Sequence, residues 1–205
     1  VVKLLLDYDR NIELNARSNA GWTGLTIACR NGHRDVVKLL LDHSERNDLN
    51  ARNNRGLTAL MCACQNGHKD VVQLLLDHSE RIELNTIDDR RNTAIMLACH
   101  NGHKDVVKLL LDQSGFNLNI ELNLNNEFVT TQGLAALSVA CQNGHKEVVQ
   151  LLLDQPGLNL NIELIEGITL GWAALATACK DGQKDVVQLL LDHSERIDLN
   201  ARNNH

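Results

Sequence analysis

The sequence lacks the features that mark three large classes of protein. None of its apolar runs approaches the roughly 20 residues that a membrane-spanning helix requires. Positive charge is not in excess, because 26 acidic residues outnumber 20 Lys and Arg residues, and the net charge of -6 argues against general affinity for nucleic acid. No phosphate-binding loop, nucleophile motif or metalloprotease pattern occurs. We therefore expect no membrane span, no nucleic-acid partner, no catalysis and no cofactor.

A seven-residue segment recurs along the chain at a nearly constant interval. Val1–Asp7 reads VVKLLLD, and the same segment, or its variant with Gln for Lys, returns at intervals of 35, 35, 35, 42 and 38 residues. A second block, ACRNGH at Ala28–His33 and its variants, keeps the same step. The repeating unit is therefore about 35 residues long, and five units are complete. The returns of the seven-residue segment begin at Val36, Val71, Val106, Val148 and Val186.

Each unit contains two short helical patterns separated by a glycine. In the segment Thr58–His68, the spacing of Leu60, Ala63 and Cys64 predicts one helical face, and Thr58 is placed to cap its first turn. Gly67 then ends the helix in a left-handed conformation. A second helix is predicted from about Lys69 to Asp77. Both helices are shorter than the ~12 residues that an isolated helix needs, so their stability must come from stacking between units.

The period changes from 3.6 to 2 between helix pairs. Apolar and polar residues alternate from Phe116 to Leu124 and again from Leu158 to Leu164, which predicts strands or hairpin arms. The shorter versions, Ile82–Asn85 and Asn47–Asn50, predict tighter hairpin-like turns. Each unit thus ends in a finger.

Six cysteines are present, and their spacing does not suggest disulfides. Five of them occupy one position in successive units, and Cys62 is the exception. Small packed side chains explain this periodicity better than a disulfide framework, so we expect an intracellular, reducing compartment, cytoplasmic or nuclear. The periodic cysteines are Cys29, Cys64, Cys99, Cys141 and Cys179.

Helix, glycine turn, helix and finger at this period resemble the ankyrin repeat family. TGLTIAC at Thr23, TALMCAC at Thr58 and TAIMLAC at Thr93 look like the family's T-P-L-H-x-A signature, and NGHRDVVKLLL at Asn31 looks like the part that follows it. The resemblance covers nearly the whole chain. It implies an all-α fold with short β-hairpin fingers, an ankyrin-repeat solenoid of stacked helix-turn-helix units.

The chain also departs from the family's pattern. Proline never follows the signature threonine, and the histidine position holds Thr26 in the first complete unit and Met61 in the second. Ala135 and Ala173 replace the threonine itself in the fourth and fifth units, so we expect looser first helices there. Insertions of seven and three residues precede these two units, and the fourth finger is the most distinctive.

The repeat pattern also predicts the boundaries of the units. Residues 1–15 form a partial repeat with a second helix only, and residues 201–205 begin a further repeat or a tag. Because neither end carries a polar capping repeat, we expect self-association through the uncapped ends. The five complete repeats are 16–50, 51–85, 86–123, 124–162, which has an extended finger, and 163–200.

A Cys-x3-His pattern occurs four times and suggests zinc ligands. The glycine inside it breaks the helix, no position collects four ligands, and the fifth unit has Gln183 in place of histidine. We therefore interpret the pattern as packing and expect no metal. Its members are Cys29 with His33, Cys64 with His68, Cys99 with His103, and Cys141 with His145.

The resemblance implies that a protein partner lies along a concave groove of fingertips and first helices. We select the groove positions that vary between units, and the two tryptophans, the only ones in the chain, are the residue type that most often dominates interface energies. A tryptophan that merely covers the next helix start remains an equal alternative. The predicted partner-binding residues are Trp22, Asn54, Arg55, Leu57, Met61, Arg90, Asn92, Met96, His100, Gln142, Trp172 and Lys180.

Charge is unevenly distributed along the fingers. Arginines outnumber the pair Asp88 and Asp89 in the first three fingers, whereas Glu127 and Glu166 mark the later two. This suggests a partner segment that is acidic at one end and basic at the other. The finger arginines are Arg17, Arg52, Arg55, Arg90 and Arg91.

Two further functions remain open at this point. The array could be the recruiting module of a larger enzyme or a ubiquitin-ligase adaptor, as some ankyrin proteins are. Alternatively, four Leu-Asn sequences resemble sites that asparaginyl hydroxylases modify in ankyrin repeats, although hydrogen bonding within a turn is the ordinary role of such asparagines. These residues are Asn15, Asn50, Asn85 and Asn200.

Overall fold

The computed structural model describes residues 13–114, 116, 118, 121–124, 128–158, 160–161, 163–165 and 168–195. The chain divides after Ala94 into two compact parts, which are called the first and the second unit from here on and are described separately. The elements of about 35 residues are called repeats. The partial repeat predicted at residues 1–15 lies mostly outside the described residues, and the segment 201–205 lies wholly outside them. The expectation of self-association through the ends therefore stays a prediction.

Ten α-helices alternate with short loops in the described part of the chain, and they form consecutive pairs. The predicted helix-rich fold with short hairpin fingers is confirmed. The pairs are α1 (Gly24–Arg30) with α2 (Arg34–Leu41), α3 (Ala59–Gln65) with α4 (Lys69–Leu76), α5 (Ala94–His100) with α6 (Lys104–Leu111), α7 (Gln132–Gln142) with α8 (Lys146–Leu153), and α9 (Leu170–Lys180) with α10 (Lys184–Asp192).

Threonine side chains cap the first helices of the first unit. Thr58 Oγ1 accepts a hydrogen bond from the N–H of Met61 at the start of α3, as predicted. At the start of α1, Thr23 Oγ1 accepts from the N–H of Thr26, and the Thr26 hydroxyl accepts in return from the N–H of Thr23. Thr26, which stands at the family's histidine position, thus forms a capping box together with Thr23.

A left-handed glycine ends each first helix whose end is described. Gly102, for example, has φ +72° and lies against the ring of His145, where a Cβ would come within 2.6 Å of Nδ1. The second helix that follows carries an acidic residue in its first turn, such as Asp35 in α2 and Asp70 in α4. These carboxylates favour the positive end of the helix dipole.

Packing between consecutive pairs buries the apolar stripes in the first unit. Helix α1 packs against both α2 and α3, and α2 packs against α4. Leu25, Leu60 and Leu75 are buried almost completely between these helices. Burial of each such side chain contributes about 1.5 to 3 kcal/mol, which short helices need because they are unstable alone.

The second unit stacks in the same way and adds two hairpins. Helix α7 packs against α8 and α9, and α8 packs against α10. Strands β1 (Glu121–Leu124) and β2 (Phe128–Thr131) pair antiparallel, with Glu121 opposite Thr131. Strands β3 (Glu163–Ile165) and β4 (Ile168–Thr169) pair antiparallel with an irregularity between Glu163 and Ile165. The alternating stretches of the sequence thus supply β1 and β3, and the next residues return as β2 and β4.

The first helices of the fourth and fifth repeats are longer than those of the first three repeats. Helices α7 and α9 have 11 residues each, whereas α1, α3 and α5 have 7. Ala173 therefore lies inside α9, and Thr169, four residues earlier, provides the N-cap by accepting from the N–H of Trp172 at 3.4 Å. Thr169 thus supplies the capping hydroxyl that Ala173 lacks, because the chain closes an additional helical turn before Ala173.

The helices of the array are short. Among the residues that the structure describes, none is long and apolar enough to cross a membrane.

Candidate functional site

Three tight fingers of the first unit share one construction. In the second finger, the N–H of Asn53 donates to the carbonyl oxygen of Leu57, and Asn53 Oδ1 accepts from the N–H groups of Arg55 and Leu57. Asp88 fills the same role in the third finger and Ser18 in the first, although Ser18 accepts only from the N–H of Trp22. A polar side chain at the finger base therefore holds each tip in a fixed conformation.

The tips of neighbouring fingers are hydrogen-bonded to one another. The Asn54 N–H donates to the carbonyl oxygen of Ala20 at 3.1 Å, and the Asn54 side-chain amide donates to that of Asn19 at 3.0 Å. The Asp89 N–H donates in turn to the carbonyl oxygen of Arg55 at 3.1 Å. Arg55 and Arg90 consequently project from adjacent tips, and both side chains are exposed.

Two further arginines join the fingers nearer their bases. The Arg17 guanidinium donates to the carbonyl oxygen of Arg52, and the Arg52 guanidinium donates to that of Ile87, each at 2.7 Å. The two hydrogen bonds are equivalent because each joins residues that are 35 positions apart, the length of one repeat. These two side chains have a structural role that the sequence pattern did not reveal.

The third fingertip carries a strained residue. Gly21 and Gly56 have φ values of +77° and +75° at the turn positions of the first two fingers, and Arg91 takes the same position in the third with φ +65°. Arg91 is the one non-glycine residue of the described chain with a positive φ. Such conformations cost an L-residue roughly 1 to 2 kcal/mol and tend to persist at functional sites.

Replacement of Arg91 by glycine is expected to raise the free energy of unfolding by about 0.5 to 1 kcal/mol. The relief of left-handed strain exceeds the additional chain entropy that glycine brings to the unfolded state. Urea unfolding followed by circular dichroism measures the change. Arg90→Gly is the control, since Arg90 has no positive φ and its replacement should lower stability; equal effects at both positions would contradict the assignment.

An aromatic patch lies beside these fingers at the start of α1. The guanidinium carbon of Arg30 stands 5.2 Å from the centre of the Trp22 ring, a cation–π distance. Ile27 lies three residues before Arg30, on the same helix face, and is 44% exposed. Ile27 and Arg30 were not among the predicted residues. The spacing of Trp22 one residue before the N-cap and Ile27 at the fourth helical position is the signal that could have identified the patch.

The structure places the predicted residues in three environments. Three are inside the packed array, with exposed fractions of 4% for Leu57, 0% for Met61 and 7% for Met96, so they leave almost no surface for a partner. The exposed residues are Asn54, Arg55, Arg90, His100, Gln142 and Lys180, and the half-buried ones are Trp22, Asn92 and Trp172.

The two tryptophans do not occupy equivalent positions. Trp22 precedes the N-cap of α1, whereas Trp172 lies in the first turn of α9 because that helix starts one turn earlier. Only Trp22 has a described arginine over its ring.

The histidines of the Cys-x3-His pattern connect one repeat to the previous one. His68 Nε2 lies 3.0 Å from the carbonyl oxygen of Arg30, and His145 Nε2 lies 3.0 Å from that of His100. Gln183, which replaces the histidine in the fifth repeat, makes the same connection through Nε2 to the carbonyl oxygen of Gln142 at 3.2 Å. Within the described residues, no group of three or more His, Cys, Asp or Glu residues is placed to hold a metal ion.

Asparagines of the Leu-Asn sequences connect loops of the first unit. The Asn15 side chain donates to the carbonyl oxygen of Arg46 and accepts from the N–H of Asp48. The Asn50 side chain makes the corresponding pair of bonds, to Arg81 and from Glu83. The sequence led us to favour hydrogen bonds within a turn, whereas these bonds join residues 31 to 33 positions apart in loops of successive repeats. Asn200 lies outside the described residues.

Five of the six cysteines are buried, and Cys179 is exposed. Burial raises the pKa of the Cys62 thiol to about 12, an effect that the nearby Arg30 and Arg55 guanidinium groups oppose. Burial likewise raises the pKa of Cys141 to about 12. These thiols stay protonated at neutral pH and are therefore poor nucleophiles.

We expect a single cysteine of the folded chain to react rapidly with a thiol reagent. At pH 8, Ellman's reagent should detect one reactive thiol per chain in the native protein, none in the native Cys179→Ser variant, and six in the unfolded wild type. A rise in pH from 7 to 9 should leave the native count at one, because 9 is still far below the raised pKa values of the buried thiols. A second fast-reacting thiol would contradict this packing.

Stacked helix-turn-helix units, a left-handed glycine between the helices and hydrogen-bonded fingers define a solenoid class of repeat protein. The chain belongs to the ankyrin repeat family. The family model described as "Ankyrin repeats (3 copies)" matches residues 1–88, 45–122, 80–163 and 118–203.

Comparison with solved structures agrees on the fold. The human ASB11 ankyrin repeat domain, solved as a crystal structure, is similar to this chain with a TM-score of 0.67 and 23% sequence identity. The similarity covers 84% of this chain and 69% of that domain. No curated protein sequence matches this chain. Because 482 chains of solved structures match, this likeness shows the fold and does not select a function.

Proposed function

We propose that this chain is a non-catalytic protein-interaction module that binds its partner on the fingertips and on the exposed ends of the first helices. The observation that carries the proposal is the combination of exposed, variable side chains with a backbone held rigidly by repeat-to-repeat hydrogen bonds. Ankyrin repeats generally act as protein–protein interaction modules, which supports this assignment. The proposed contact residues are Trp22, Asn54, Arg55, Arg90 and Asn92 in the first unit, and His100, Gln142, Trp172 and Lys180 in the second.

Leu57, Met61 and Met96 are left out of the proposed surface. Their small exposed fractions leave no area that a partner could bury. Arg30 is added, since its guanidinium group covers the Trp22 ring. The proposed surface of the first unit therefore consists of the fingertips, Trp22 and Arg30, without Leu57 and Met61.

The repeat boundaries and the compartment are also proposals. The repeats 16–50, 51–85, 86–123, 124–162 and 163–200 are placed by their shared sequence blocks. An intracellular reducing compartment, cytoplasmic or nuclear, suits a chain whose cysteines are free. Recruitment of a substrate to a larger enzyme or a ubiquitin ligase would use the same surface, and the full-length gene distinguishes that role.

Site-specific photocrosslinking in the source cell tests the proposed function. Ala20 is exposed at the first fingertip, at the place that Arg55 and Arg90 occupy in the next two. A benzophenone amino acid at position 20 should capture one discrete protein, identified by mass spectrometry together with the crosslinked peptide. The same amino acid at Lys38, an exposed residue of α2, is the control and should not capture that protein. Absence of a protein adduct at position 20, or equal capture at both positions, would overturn the proposal.

A further inference from the structure

We propose that the Asn-Gly turns between paired helices are latent deamidation sites, which the next repeat keeps unreactive. Deamidation converts asparagine to aspartate or isoaspartate without an enzyme, and water is the co-reactant. The asparagines concerned are exposed to water, and separation of the next repeat makes their turns reactive. Three turns lie in the same unit as the repeat that covers them: Asn31-Gly32 in the first unit, and Asn101-Gly102 and Asn143-Gly144 in the second.

The sequence Asn-Gly favours this reaction because glycine has no side chain to shield its main-chain nitrogen. That nitrogen loses its proton to water and forms a bond to the asparagine Cγ. The Cγ–Nδ2 bond breaks, and Nδ2 leaves as ammonia after it takes up a proton from water. Water then opens the resulting five-membered imide at one of its two carbonyl carbons. One product is aspartate, and the other is isoaspartate, whose main chain is one carbon atom longer.

The folded turn keeps the reacting groups apart. Asn31 has a ψ of 1°, which turns the nitrogen of Gly32 away from the asparagine Cβ, whereas ring closure needs the two atoms on the same side. The Gly32 N–H also donates to the carbonyl oxygen of Cys29 at 3.4 Å. The asparagine Nδ2 donates to the carbonyl oxygen four residues earlier, at 3.1 Å for Asn31, 2.8 Å for Asn101 and 2.9 Å for Asn143. These bonds must break before the imide can form.

One side chain of the next repeat covers the turn of the first unit. His68 Nε2 lies 3.0 Å from the carbonyl oxygen of Arg30, the residue before Asn31. The His68 ring also packs against Gly32, where a Cβ would come within 2.6 Å of Nδ1. The imidazole thus contacts the chain on both sides of Asn31. It blocks the rotation about the Cα–C bond of Asn31 that ring closure requires.

The two turns of the second unit are covered in the same way. His145 packs against Gly102, and Gln183 packs against Gly144. Each of these side chains is also hydrogen-bonded to the carbonyl oxygen two residues before the glycine. Because histidine and glutamine make equivalent contacts, the protection comes from contact with the turn and does not depend on the imidazole ring.

The two products of the reaction differ in their effect on the turn. The fifth repeat has Asp181 at the position of the asparagine, with φ -93° and ψ 7°, so an ordinary aspartate fits this turn. Isoaspartate lengthens the main chain next to the carbonyl oxygen that the following repeat needs, and it displaces the residue that carries this oxygen. These residues, Arg30, His100 and Gln142, belong to the proposed contact surface. Since single repeats open more easily than the whole array unfolds, the reaction would mark a chain whose repeats have separated.

Incubation of the full 205-residue chain at pH 8, followed by peptide mapping, tests the inference. The readouts are the mass gain of one unit at each asparagine and the separation of isoaspartate from aspartate peptides. His68→Ala should accelerate deamidation of Asn31 at least tenfold and change that of Asn143 less than twofold. Gln183→Ala should have the reverse effect. Equal acceleration at both asparagines in either variant, or no acceleration at the uncovered turn, would overturn the inference.

A conservative variant separates protection by contact from a loss of folding. His68→Gln should keep Asn31 at its wild-type rate, because Gln183 makes the same contacts in the natural chain. A His68→Gln chain that reacts as fast as His68→Ala would contradict the assignment. Circular dichroism of each variant verifies that the helices are formed.

The unfolded chain provides the reference rate. In urea, the three asparagines should react within threefold of one another, because each is followed by Gly and His. Their rates should be at least tenfold higher than in the native chain. Native rates equal to the unfolded rates would overturn the inference. The measurement needs no partner, so its outcome is independent of the interaction function.

Discussion

Replacement of Asn47 by isoleucine is expected to raise the free energy of unfolding by about 2 to 3 kcal/mol. The Asn47 side chain is 4% exposed, and neither its Nδ2 nor its Oδ1 has a hydrogen-bond partner in the described structure. Each unsatisfied buried polar group costs about 1 to 3 kcal/mol, and an isoleucine there adds apolar burial. The 35-residue step places Ile82 at the same position of the next repeat, where it is 6% exposed.

The reciprocal substitution is the control for this prediction. Ile82→Asn introduces the same unpaired amide into the apolar position and should lower the free energy of unfolding by about 2 to 4 kcal/mol. Urea unfolding of the full chain, with the circular dichroism of the helices as readout, measures both changes. No gain in stability from Asn47→Ile would show that the amide is satisfied in solution, and the assignment of this position as a buried unsatisfied polar site would be wrong.

Truncation of Leu153 to alanine is expected to lower the free energy of unfolding by about 2 to 5 kcal/mol. Leu153 ends α8 and is 0% exposed, so its removal leaves a cavity between repeats. Leu191 occupies the same place in α10 and is 42% exposed. Leu191→Ala should therefore cost about 1 kcal/mol or less, although the two leucines follow the identical sequence VVQLL.

Comparison of Leu153→Ala with Leu191→Ala separates the contribution of stacking to the free energy of unfolding from that of local helix propensity. Both substitutions replace leucine with alanine at the same point of a helix, so the intrinsic helical preference changes equally. Differential scanning calorimetry and urea unfolding should both rank Leu153→Ala as far more damaging. Comparable losses would mean that the leucine stabilises its own helix pair and that contact with a neighbouring repeat adds little.

The periodic part of the fold was predictable because each local signal agrees with the next. Thr58 caps α3, the left-handed glycines end the first helices, and acidic residues lie in the first turns of the second helices, all within a few positions of the chain. The extra turn of α9 was not predicted. Alignment placed Ala173 where the other repeats have a capping threonine, and Thr169 lies four residues before the aligned position.

The candidate site was only partly predictable, because exposure depends on residues about 35 positions away. Met61 and Leu57 have the same spacing as groove residues of the family, but they are 0% and 4% exposed. Ile27 stays exposed at a position that is buried in the next repeat. The contact between Arg30 and the Trp22 ring was not predictable from helical spacing, because Trp22 precedes the N-cap and lies outside the helix that ends at Arg30.

The histidine and glutamine connections have a consequence for how such a chain can diverge. Each one ends on a main-chain carbonyl oxygen, that of Arg30, His100 or Gln142, while the side chain of the acceptor residue is exposed. A mutation at any of these three positions changes the exposed side chain but keeps the main-chain carbonyl oxygen to which the next repeat is hydrogen-bonded. The assembly of the repeats and the choice of ligand can therefore evolve independently at one and the same residue.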